Sequence, residues 1–593
     1  MPSYVLGISC YFHDAAAALL RDGEVVAAAE EERFTRVKHD FSFPERAIEF
    51  CLQHAGIEAG DLEAVVFFEK PFVKFDRLLR TSVEAWPRSY WLFAQSMRTW
   101  LFDKLWIRSR IQEHLGLPAS KILFSDHHLS HGASAFYCSP FEEAAVLTID
   151  GVGEWNTATM GVGRGASLTV TDEMRFPHSL GLLYSAFTAY LGFEVNEGEY
   201  KVMGMAPYGE PKYVDRVLRT MKVYDDGSLW LDPAYYSFHY ATRWPITRKF
   251  VRLFGEPRPP EMPFFTHGTG FPSYYGERPA DGDRAWERNQ YYADVAASIQ
   301  FVAENAMVAM AREAHRRTGL TDLAMAGGVA LNSVGNNRIL RETPIERLYV
   351  HPAAGDSGGA LGGALWAWHA GMGHAERHVM DHAYWGADYG DDAIEETLRA
   401  TEGIRYRQET DEASIARVVD ALVAGKVVGW SQGRFEWGPR ALGNRSILAN
   451  PTLAEMKDVV NEKIKFREPF RPFAPSVPVE DAARYFDLPD PAASYPGRFM
   501  LQVVPVRDEM ADRVPAVNHL GTARVQTIHE ATNPRYYRLA KAFGEATGTP
   551  VLLNTSYNVR GEPIVNTPAE SIATFLKSGI DILALGRWVV EKA

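Results

Sequence analysis

The chain has 593 residues and a mass of 66.3 kDa, more than one hydrophobic core usually supports, so two or three domains are expected and a peptide is excluded. Hydrophobic residues make up 46% and charged residues 23%, near the soluble-globular average, and the apolar runs are too short to span a membrane. The net charge of −13 opposes general attraction to nucleic acid or an anionic membrane, so an anionic ligand needs a local basic site. Because the N-terminus lacks an export signal and only three cysteines are present, a reduced cytoplasmic protein is expected.

The N-terminal residues predict a β-sheet. Tyr4–Ser9 is typical of a buried strand, and a hairpin is expected from Ala16–Leu20 and Glu24–Ala29. Asp22 and Gly23 lie between these two strands, and both residue types suit the positive φ angles of a tight turn.

A helix and a further strand follow the hairpin. Ser42 and Glu45 stand three residues apart around Pro44, which predicts a capping box at the start of a helix. The apolar run Ala64–Glu69 predicts the next strand.

A second segment repeats the first pattern. Ala144–Ile149 predicts a strand that ends at Asp150, and a hairpin of Thr157–Val162 and Ser167–Arg175 follows. Such a duplication suggests two similar sheet-based lobes facing a cleft, as in actin-like ATPases and sugar kinases. Two hairpins alone leave chance resemblance open as the alternative.

The rest of the chain divides at a histidine-rich stretch. Residues 371–382 lose apolar periodicity, so a first domain of residues 1–375 and a second of residues 383–593 are expected. Residues 222–285 are rich in aromatic residues, Pro and Gly and predict an insertion. These aromatic side chains either shape an acceptor pocket or pack in the ordinary way, and the sequence leaves both readings open.

One pair of histidines has the spacing of metal ligands. His127 and His131 stand four residues apart in a predicted helix, which places both imidazoles on one helix face. Asp356, after a predicted strand, is the candidate third ligand. Mixed nitrogen and oxygen ligands suit iron or zinc better than magnesium, whereas the structural alternative is capping or core histidines.

Three glycine-rich segments predict close approach of a ligand to the backbone. Gly327 and Gly328 follow an apolar strand in a segment that ends at Asn332, and a second segment surrounds Asp356. Lys201 lies in the third. Each segment alone is equally typical of an ordinary turn.

A histidine and a basic region complete the candidates. His13 lies just past the first strand, where ligands bind in open α/β sheets, and is either a general base or a solvated loop residue. Residues 434–471 hold eight Lys or Arg and five Asp or Glu, a surplus of positive charge inside an acidic chain. Arginine suits phosphate oxygens, so this region predicts a phosphate site, with a solvated basic helix over 453–465 as the alternative.

Motifs spread over nearly the whole chain carry a specific resemblance. They are Gly7–Ser9 with His13–Ala16, Glu30–Phe34, His127 with His131, Gly198–Gly204, Gly327–Asn332, Gly438–Gly443, Arg471–Pro475, Thr522–Gln526 and Leu553–Asn558. In this order they resemble the NodU/CmcH-type O-carbamoyltransferases. The resemblance implies an α/β protein with an N-terminal actin-like (ASKHA) duplicated domain and a C-terminal YrdC-like α/β domain.

The resemblance also implies an activity in two steps. Carbamoyl phosphate and ATP would form carbamoyl-adenylate in the second domain, and the first would transfer the carbamoyl group to a hydroxyl of a small natural-product or sugar-like metabolite. The implied phosphate and carbamoyl ligands are Arg440, Lys465, Arg471, Arg524 and Ser556. The implied ligands of an iron-like divalent ion, Fe²⁺ with Zn²⁺ or Mn²⁺ as alternatives, are His127, His131 and Asp356. His13 would be the base, with Lys38 and Asp150 nearby.

Other functions remain as alternatives. The same two domain types occur in tRNA threonylcarbamoylation, although the acidic charge disfavours a nucleic-acid partner. A nucleotide-binding regulatory protein without turnover is the other alternative. No membrane partner is expected, and a homodimer is expected only from the frequency of such assemblies.

Overall fold

The computed structural model describes the chain apart from a few short gaps. The described residues are 2–241, 244–260, 262–272, 275–277, 282–465 and 467–593. They form two compact units, one of Met1–Val26 with Phe41–Val379 and one of Ala27–Asp40 with Met380–Ala593. Residues 27–40, which were expected in the first domain, therefore belong to the second unit.

The first sheet has the strand order β3-β2-β1-β4-β5. Its strands are β1 (Tyr4–Ser9), β2 (Ala16–Arg21), β3 (Glu24–Glu30), β4 (Leu62–Phe67) and β5 (Ile122–Phe124). β1 pairs antiparallel with β2 and parallel with β4, which pairs parallel with β5. Asp22 and Gly23 have φ angles of 52° and 87°, so the predicted hairpin turn is confirmed.

The second sheet of the first unit repeats this topology in the order β8-β7-β6-β11-β12. The strands from β6 onward, including a separate hairpin of β9 and β10, are β6 (Glu143–Ile149), β7 (Asn156–Arg164), β8 (Ser167–Arg175), β9 (Met221–Val223), β10 (Leu229–Leu231), β11 (Asp322–Ala326) and β12 (Arg347–Val350). β6 pairs antiparallel with β7 and parallel with β11, as β1 does with β2 and β4. The predicted duplication is therefore present in the strand connectivity.

Helices connect and cover the sheets of the first unit. After α1 (Glu32–Thr35), which belongs to the second unit, they are α2 (Glu45–Ala55), α3 (Pro71–Glu84), α4 (Tyr90–Phe102), α5 (Ile107–Leu115), α6 (His127–Cys138), α7 (Leu180–Tyr190), α8 (Glu199–Met205), α9 (Val214–Leu218), α10 (Arg248–Phe254), α11 (Gly282–Thr318), α12 (Ser333–Glu342) and α13 (Asp356–Trp366). The expected capping box at α2 is wrong. Pro44 is the N-cap and has no side-chain acceptor, which places Ser42 two residues too early for that role.

The insertion at 222–285 packs partly through its aromatic residues. Residues 242–243, 261, 273–274 and 278–281 of this segment lie outside the described residues. Phe250 is buried and its ring centroid lies 5.1 Å from that of Phe187 on α7. Trp230 and Trp244 are exposed. The ordinary packing reading therefore holds for the inner aromatic residues, and the two tryptophans face solvent.

The second unit is built on an eight-stranded mixed sheet with the order β13-β22-β21-β14-β15-β20-β16-β19. With the small antiparallel pair β17–β18, the strands are β13 (Ile404–Gln408), β14 (Val428–Ser431), β15 (Arg445–Ala449), β16 (Ala474–Pro478), β17 (Val503–Pro505), β18 (Thr522–Arg524), β19 (Gln526–Ile528), β20 (Leu552–Ser556), β21 (Ile582–Leu585) and β22 (Trp588–Lys592).

Each face of this sheet supports a hydrophobic core. The helices are α14 (Asp391–Arg399), α15 (Asp411–Val423), α16 (Met456–Val460), α17 (Val479–Tyr485), α18 (Tyr495–Arg498), α19 (Pro534–Thr547) and α20 (Pro568–Lys577). Leu448 belongs to the core beneath α15 and α19, whereas its neighbour Ile447 belongs to the core on the other face. This alternation follows from the two-residue period of a strand.

The three cysteines of the chain are separate from one another. Cys10, Cys51 and Cys138 are buried thiols, and none of them forms a disulfide. Burial raises the pKa of the Cys138 thiol to about 12, although the Arg377 charge opposes this shift. Among the described residues, no helix combines the length and apolar character needed to cross a bilayer.

Candidate metal centre and anion site

Three elements of the first unit carry the candidate metal ligands. His127 and His131 lie one turn apart on α6, Asp150 follows the end of β6, and Asp356 is the first residue of α13. α6 and α13 approach closely because the chain has glycine at position 362. A Cβ there would lie 1.8 Å from the Ser130 carbonyl oxygen, so no larger residue fits this helix contact.

The four side chains converge on one point. His127 Nε2 lies 3.1 Å from His131 Nε2, 3.1 Å from Asp150 Oδ2 and 3.6 Å from Asp356 Oδ1. His131 Nε2 lies 3.8 Å from the Asp150 oxygen and 3.6 Å from the Asp356 oxygen. All four residues are buried, and we call them the metal cluster. The structure thus brings together the three predicted ligands and adds Asp150, which was expected near His13.

The metal cluster fits a divalent transition-metal ion. Four ligands placed tetrahedrally at about 2.1 Å from an ion are about 3.4 Å apart, close to the observed 3.1–3.8 Å. Among the described residues, the second carboxylate oxygen of Asp356 is buried without a hydrogen-bond partner. An ion would offset the cost of that buried oxygen. Two imidazoles with two carboxylates suit iron or zinc.

The Gly327–Gly328 segment holds Asp150 in place. The Gly328 N–H donates to Asp150 Oδ1 at 2.8 Å, which leaves Oδ2 directed at the histidines. Gly327 has a φ of 94°, and a Cβ there would lie 2.3 Å from the Ile149 carbonyl oxygen, so glycine is required. The segment predicted to cradle a nucleotide therefore orients a carboxylate of the metal cluster.

Two buried carboxylates outside the predicted set of site residues support His127. Glu154 accepts hydrogen bonds from the His127 backbone N–H, and Glu69 Oε2 lies 3.6 Å from His127 Nδ1. Burial would raise the pKa of Glu69, but the Lys74 ammonium at 2.5 Å and His127 lower it to about 2. Glu69 is therefore an ionised group facing the outer nitrogen of His127. Its position at the end of an apolar strand was the available sequence signal.

The pKa values within the metal cluster reflect these charges. Burial opposes the charged form of His127, yet Asp150, Asp356 and Glu69 together raise the pKa of its imidazole to about 10. Burial also opposes ionisation of Asp150, but the neighbouring histidines hold the pKa of that carboxyl well below its usual range. His128, between the two candidate ligands, instead binds Thr148 and the Asn156 carbonyl and has a pKa lowered by burial to about 3.

His13 contacts acceptors with both ring nitrogens. Nδ1 lies 2.8 Å from the Asp14 carboxylate and Nε2 lies 2.9 Å from the Asn196 carbonyl oxygen. Because neither partner can donate, both nitrogens carry protons in this arrangement. Burial alone would lower the pKa of His13, but Asp14, Asp356 and Asn196 raise it to about 9. His13 is therefore an imidazolium here, and a role as base requires loss of one proton.

Three predicted site residues of the first domain have other neighbours. Asn332 accepts from the Gly335 N–H as the N-cap of α12 and lies 3.0 Å from the amide of Gln300. Lys201 Nζ lies over the Phe193 ring. Lys38 lies in the second unit, where its charge contributes to the environment of Lys465.

Lys465 is the centre of the candidate anion site in the second unit. Its ammonium lies 2.5 Å from the Ser556 carbonyl, 2.9 Å from the Asn558 carbonyl and 2.9 Å from the Asn558 side-chain oxygen. Burial, followed by the charges of Arg467 and Arg471, lowers the pKa of Lys465 well below its ordinary value. A bound anion would relieve this accumulation of positive charge.

Strand register brings the other predicted phosphate ligands to one edge of the sheet. Ser446 at the start of β15 pairs with Ser556 at the end of β20, and Ala474 at the start of β16 pairs with Asn554. Gln526 opens β19 beside Ser476. Three arginines of the predicted site lie a few residues before these strands. Arg440 precedes β15, Arg471 precedes β16 and Arg524 precedes β19. We call this set the anion edge: Arg440, Lys465, Arg471, Arg524 and Ser556.

Side-chain amides tie the segments of the anion edge together. Gln526 Nε2 donates to the Leu442 carbonyl at 2.7 Å, and Asn554 Nδ2 donates to the Ala441 carbonyl at 3.1 Å. Asn554 also donates to the Gln526 side chain at 3.0 Å. The backbone that follows Arg440 is therefore fixed to β19, which begins two residues after Arg524, and to β20, which carries Ser556.

Two buried glutamates hold the Arg440 loop from its other side. Glu436 accepts from the backbone N–H groups of Leu442 and Asn444, each at 2.7 Å. Glu30 accepts from the Gly438 N–H, and Arg33 donates to the Gly438 carbonyl. The Glu30–Phe34 motif thus contacts the loop backbone, a role that its sequence alone does not indicate.

Comparisons with known proteins agree along the length of the chain. Residues 4–365 match the family described as Carbamoyltransferase N-terminus, and residues 419–592 match that described as Carbamoyltransferase C-terminus. The chain is 44% identical to the uncharacterized protein sll1178 of Synechocystis, over 100% of this chain and 97% of that protein. It is 37% identical to the nodulation protein NolNO of Sinorhizobium fredii, over 98% of this chain and 79% of that protein.

Other similarities cover part of the chain. A 3'-hydroxymethylcephem-O-carbamoyltransferase of Amycolatopsis lactamdurans is 38% identical over 46% of this chain and 49% of that protein. The crystal structure of component A of (R)-2-hydroxyglutaryl-CoA dehydratase from Acidaminococcus fermentans aligns with a TM-score of 0.31 and 14% identity, covering 62% of this chain and 99% of that one. A TM-score of this size carries no argument about the fold.

Proposed function

Because the chain belongs to the carbamoyltransferase family, we propose that it makes carbamoyl-adenylate from carbamoyl phosphate and ATP and transfers the carbamoyl group to a hydroxyl. A relative named for O-carbamoylation of a hydroxymethyl group supports the choice of a hydroxyl acceptor on a small metabolite. The repeated strand order of the first unit supports an actin-like arrangement for that unit. The observation that carries the proposal is the convergence of His127, His131, Asp150 and Asp356.

The anion edge would bind the substrates of the activation step. Water cleaves the bond between the carbamoyl and phosphoryl groups of carbamoyl phosphate, which gives carbamate and inorganic phosphate. A carbamate oxygen then attacks the α-phosphorus of ATP, forms a new P–O bond and displaces pyrophosphate. Arginine forks suit phosphate oxygens, and a bound anion would favour the protonated form of Lys465, whose pKa is lowered by burial and by the neighbouring arginines. Adenylation gives the unreactive carbamate a good leaving group, and burial limits hydrolysis of the product.

The metal cluster would serve the transfer step. The acceptor oxygen attacks the carbamoyl carbon, the bond from that carbon to the adenylate oxygen breaks, and AMP leaves with a developing negative charge. His127, His131, Asp150 and Asp356 would hold a divalent ion, which would supply a Lewis-acid charge able to stabilise such a phosphate. Asp150, oriented by Gly328, is the proposed fourth ligand.

His13 would take the proton of the acceptor hydroxyl at Nε2. In the structure that nitrogen binds the Asn196 carbonyl, so the acceptor hydroxyl must replace this contact. Asp14 at Nδ1 would hold the ring and stabilise the imidazolium that forms. General-base catalysis of this kind contributes about 10²–10⁴-fold to a rate.

The test separates the two steps. Purified protein with Fe²⁺, ATP, carbamoyl phosphate and a panel of hydroxylated metabolites should release AMP and pyrophosphate and give products heavier by one carbamoyl group. The H13N variant should still form pyrophosphate and should lose product by about 10²–10⁴-fold. Release of ADP alone would overturn the adenylate route, and full product formation by H13N would remove His13 as the base.

A further inference from the structure

An exposed apolar surface on two consecutive helices has no role in the proposed reaction. Nine large hydrophobic side chains on α3, on α4 and beside them are more than one third exposed. They are Phe72, Val73, Val83, Trp86, Tyr90, Trp91, Leu101, Phe102 and Trp106. Trp91 and Phe102 are 78% and 77% exposed, so most of each ring faces solvent. The ring centroids of Trp86 and Tyr90 lie 5.8 Å apart and those of Tyr90 and Trp91 lie 5.2 Å apart. Exposed apolar groups that adjoin one another in this way mark a surface that binds a partner.

The exposed positions follow the same spacing on both helices. On α4, Tyr90, Trp91, Arg98, Leu101 and Phe102 fall within about 120° of one another at about 100° per residue. On α3 the exposed residues at the equivalent spacing, 18 positions earlier, are Phe72, Val73, Arg80, Val83 and Glu84. Each helix therefore presents one apolar strip with an arginine inside it, and we call the two strips together the aromatic face.

The segment that carries the aromatic face is basic in an acidic chain. Residues 71–110 contain eight Lys or Arg and three Asp or Glu. Lys74, Arg77 and Lys104 are not exposed, which leaves five exposed arginines against three acidic residues, a surplus of two in a chain of net charge −13. The exposed arginines of the segment are Arg80, Arg88, Arg98, Arg108 and Arg110. Of the five, Arg80 pairs with Asp76 and Arg110 pairs with Glu45. The aromatic face thus combines exposed rings with guanidinium groups.

We propose that the aromatic face docks on the surface of an anionic phospholipid bilayer. Trp, Tyr, Phe and Leu beside Arg are the side chains that insert at the headgroup level, because their apolar parts reach the acyl region while guanidinium groups pair with phosphates. Each basic residue near an anionic surface adds about 1 kcal/mol of attraction, which salt weakens. The expectation of no membrane partner rests on the net charge of −13 and does not account for this local surplus.

A second copy of the chain fits this surface less well. A two-fold contact would place the same basic segment against itself, and like charges brought together in an interface oppose association. An anionic lipid surface instead complements both the charge and the exposed rings of the segment. The two occupants give different outcomes in the same experiment.

Vesicle flotation tests the proposal with the full chain. We expect the protein to float with vesicles of phosphatidylcholine and phosphatidylglycerol, at least about tenfold more than with phosphatidylcholine alone, and to be released by salt. The W91S/F102S variant should lose at least about tenfold of this binding, and the R80Q/R98Q variant should lose the preference for anionic vesicles. F301S, which removes an exposed ring on α11, is the matched control and should bind as the wild type does.

Three results would overturn the proposal. They are the absence of wild-type flotation, unchanged flotation of W91S/F102S, or a lipid-free dimer that W91S/F102S converts to a monomer. All variants should keep the wild-type melting temperature and pyrophosphate release, because the substituted residues are exposed and lie outside the metal cluster and the anion edge.

Discussion

Gly438 donates a 2.7 Å hydrogen bond from its backbone N–H to the carboxylate of Glu30, a residue 408 positions earlier in the chain. Arg33 donates to the carbonyl of the same glycine at 2.9 Å, so both backbone polar groups of Gly438 are held by one short segment. Pro439 and Arg440 follow immediately. Residues 27–40 therefore help to fix the loop that brings Arg440 to the anion edge.

Replacing Glu30 should impair the activation step. E30A leaves the buried Gly438 N–H without its acceptor, which costs about 1–3 kcal/mol, and loosens the Arg440 loop. We expect a raised KM for carbamoyl phosphate and slower pyrophosphate release, measured with an assay specific for pyrophosphate, since carbamoyl phosphate also yields inorganic phosphate. E30Q keeps an oxygen acceptor and should recover part of the loss.

Glu24, exposed at the start of the same strand, provides the matched control for Glu30. E24A should behave as the wild type in both stability and pyrophosphate release. If E30A released pyrophosphate at the wild-type rate with unchanged KM, the hydrogen bond to Gly438 would have no part in positioning Arg440.

The transfer step should become faster as pH rises. His13 has a pKa raised to about 9, so only about 1% of its imidazole is neutral at pH 7 and able to accept a proton. The kcat/KM for the acceptor should increase with pH and level off above about 9. The same raised pKa stabilises the folded chain below pH 6.5, and this contribution is lost as pH rises through about 9.

Asp14 allows the assignment of this pH profile to be checked. D14N removes the carboxylate next to Nδ1, so the pKa of His13 should fall towards 6.5 and the profile should move to lower pH. A profile that does not move in D14N would assign the titration to another group.

Glu69 should influence metal affinity without touching the ion. Its carboxylate lies 3.6 Å from His127 Nδ1, the ring nitrogen that does not face the other candidate ligands. Replacing a carboxylate that contacts a metal-binding histidine in this way typically weakens metal affinity by about 10–100-fold. E69Q should weaken metal binding by that factor in a chelator competition. E63Q alters an exposed glutamate on β4, the strand that ends two residues before Glu69, and should bind metal as the wild type does. Equal affinity of E69Q and E63Q would contradict this role.

The contact between α6 and α13 should not accept an added methyl group. In G362A the new Cβ would overlap the Ser130 carbonyl oxygen, so the helices must separate at a cost of about 1–3 kcal/mol. We expect a lower melting temperature and weaker metal binding, since the two helices carry three of the four candidate ligands. G60A, where no atom lies within 4 Å of the new Cβ, is the control. A melting temperature equal to that of G60A would show that the helices yield freely.

Hydrophobic pattern was sufficient to predict much of the first unit. Tyr4–Ser9, a buried strand, and Ser167–Arg175, a largely exposed one, have the predicted bounds, because a strand between turn residues is a local feature. The helix start at Ser42 failed because Pro44 occupies the N-cap position. The residue types of Ser42 and Glu45 indicated a capping box. The helix begins at Glu45, so the N-cap position falls on Pro44, whose side chain has no hydrogen-bond acceptor.

The site was predictable where the signal is local and less so where it depends on tertiary structure. The spacing of His127 and His131 on one helix already indicated a metal pair. Asp150 was expected beside His13, but its place next to these histidines depends on how β6 lies against α6 and on the Gly328 N–H. Lys38 was expected in the first domain, and no sequence signal indicates that residues 27–40 cluster with the second unit.

The discontinuous composition of the second unit has a practical consequence for dissecting the protein. A recombinant fragment that starts at Met380 would lack Ala27–Asp40, 14 residues of its own compact unit. It would therefore also lack the hydrogen bonds that Glu30 and Arg33 make to the backbone of Gly438. In such a fragment the Gly438 N–H would lose its Glu30 acceptor and the Arg440 loop would be less well fixed. Any activity measured on it would underestimate that of the intact unit. Supplying the missing peptide in trans, or fusing it ahead of Met380, is therefore the sound design for studying that half in isolation.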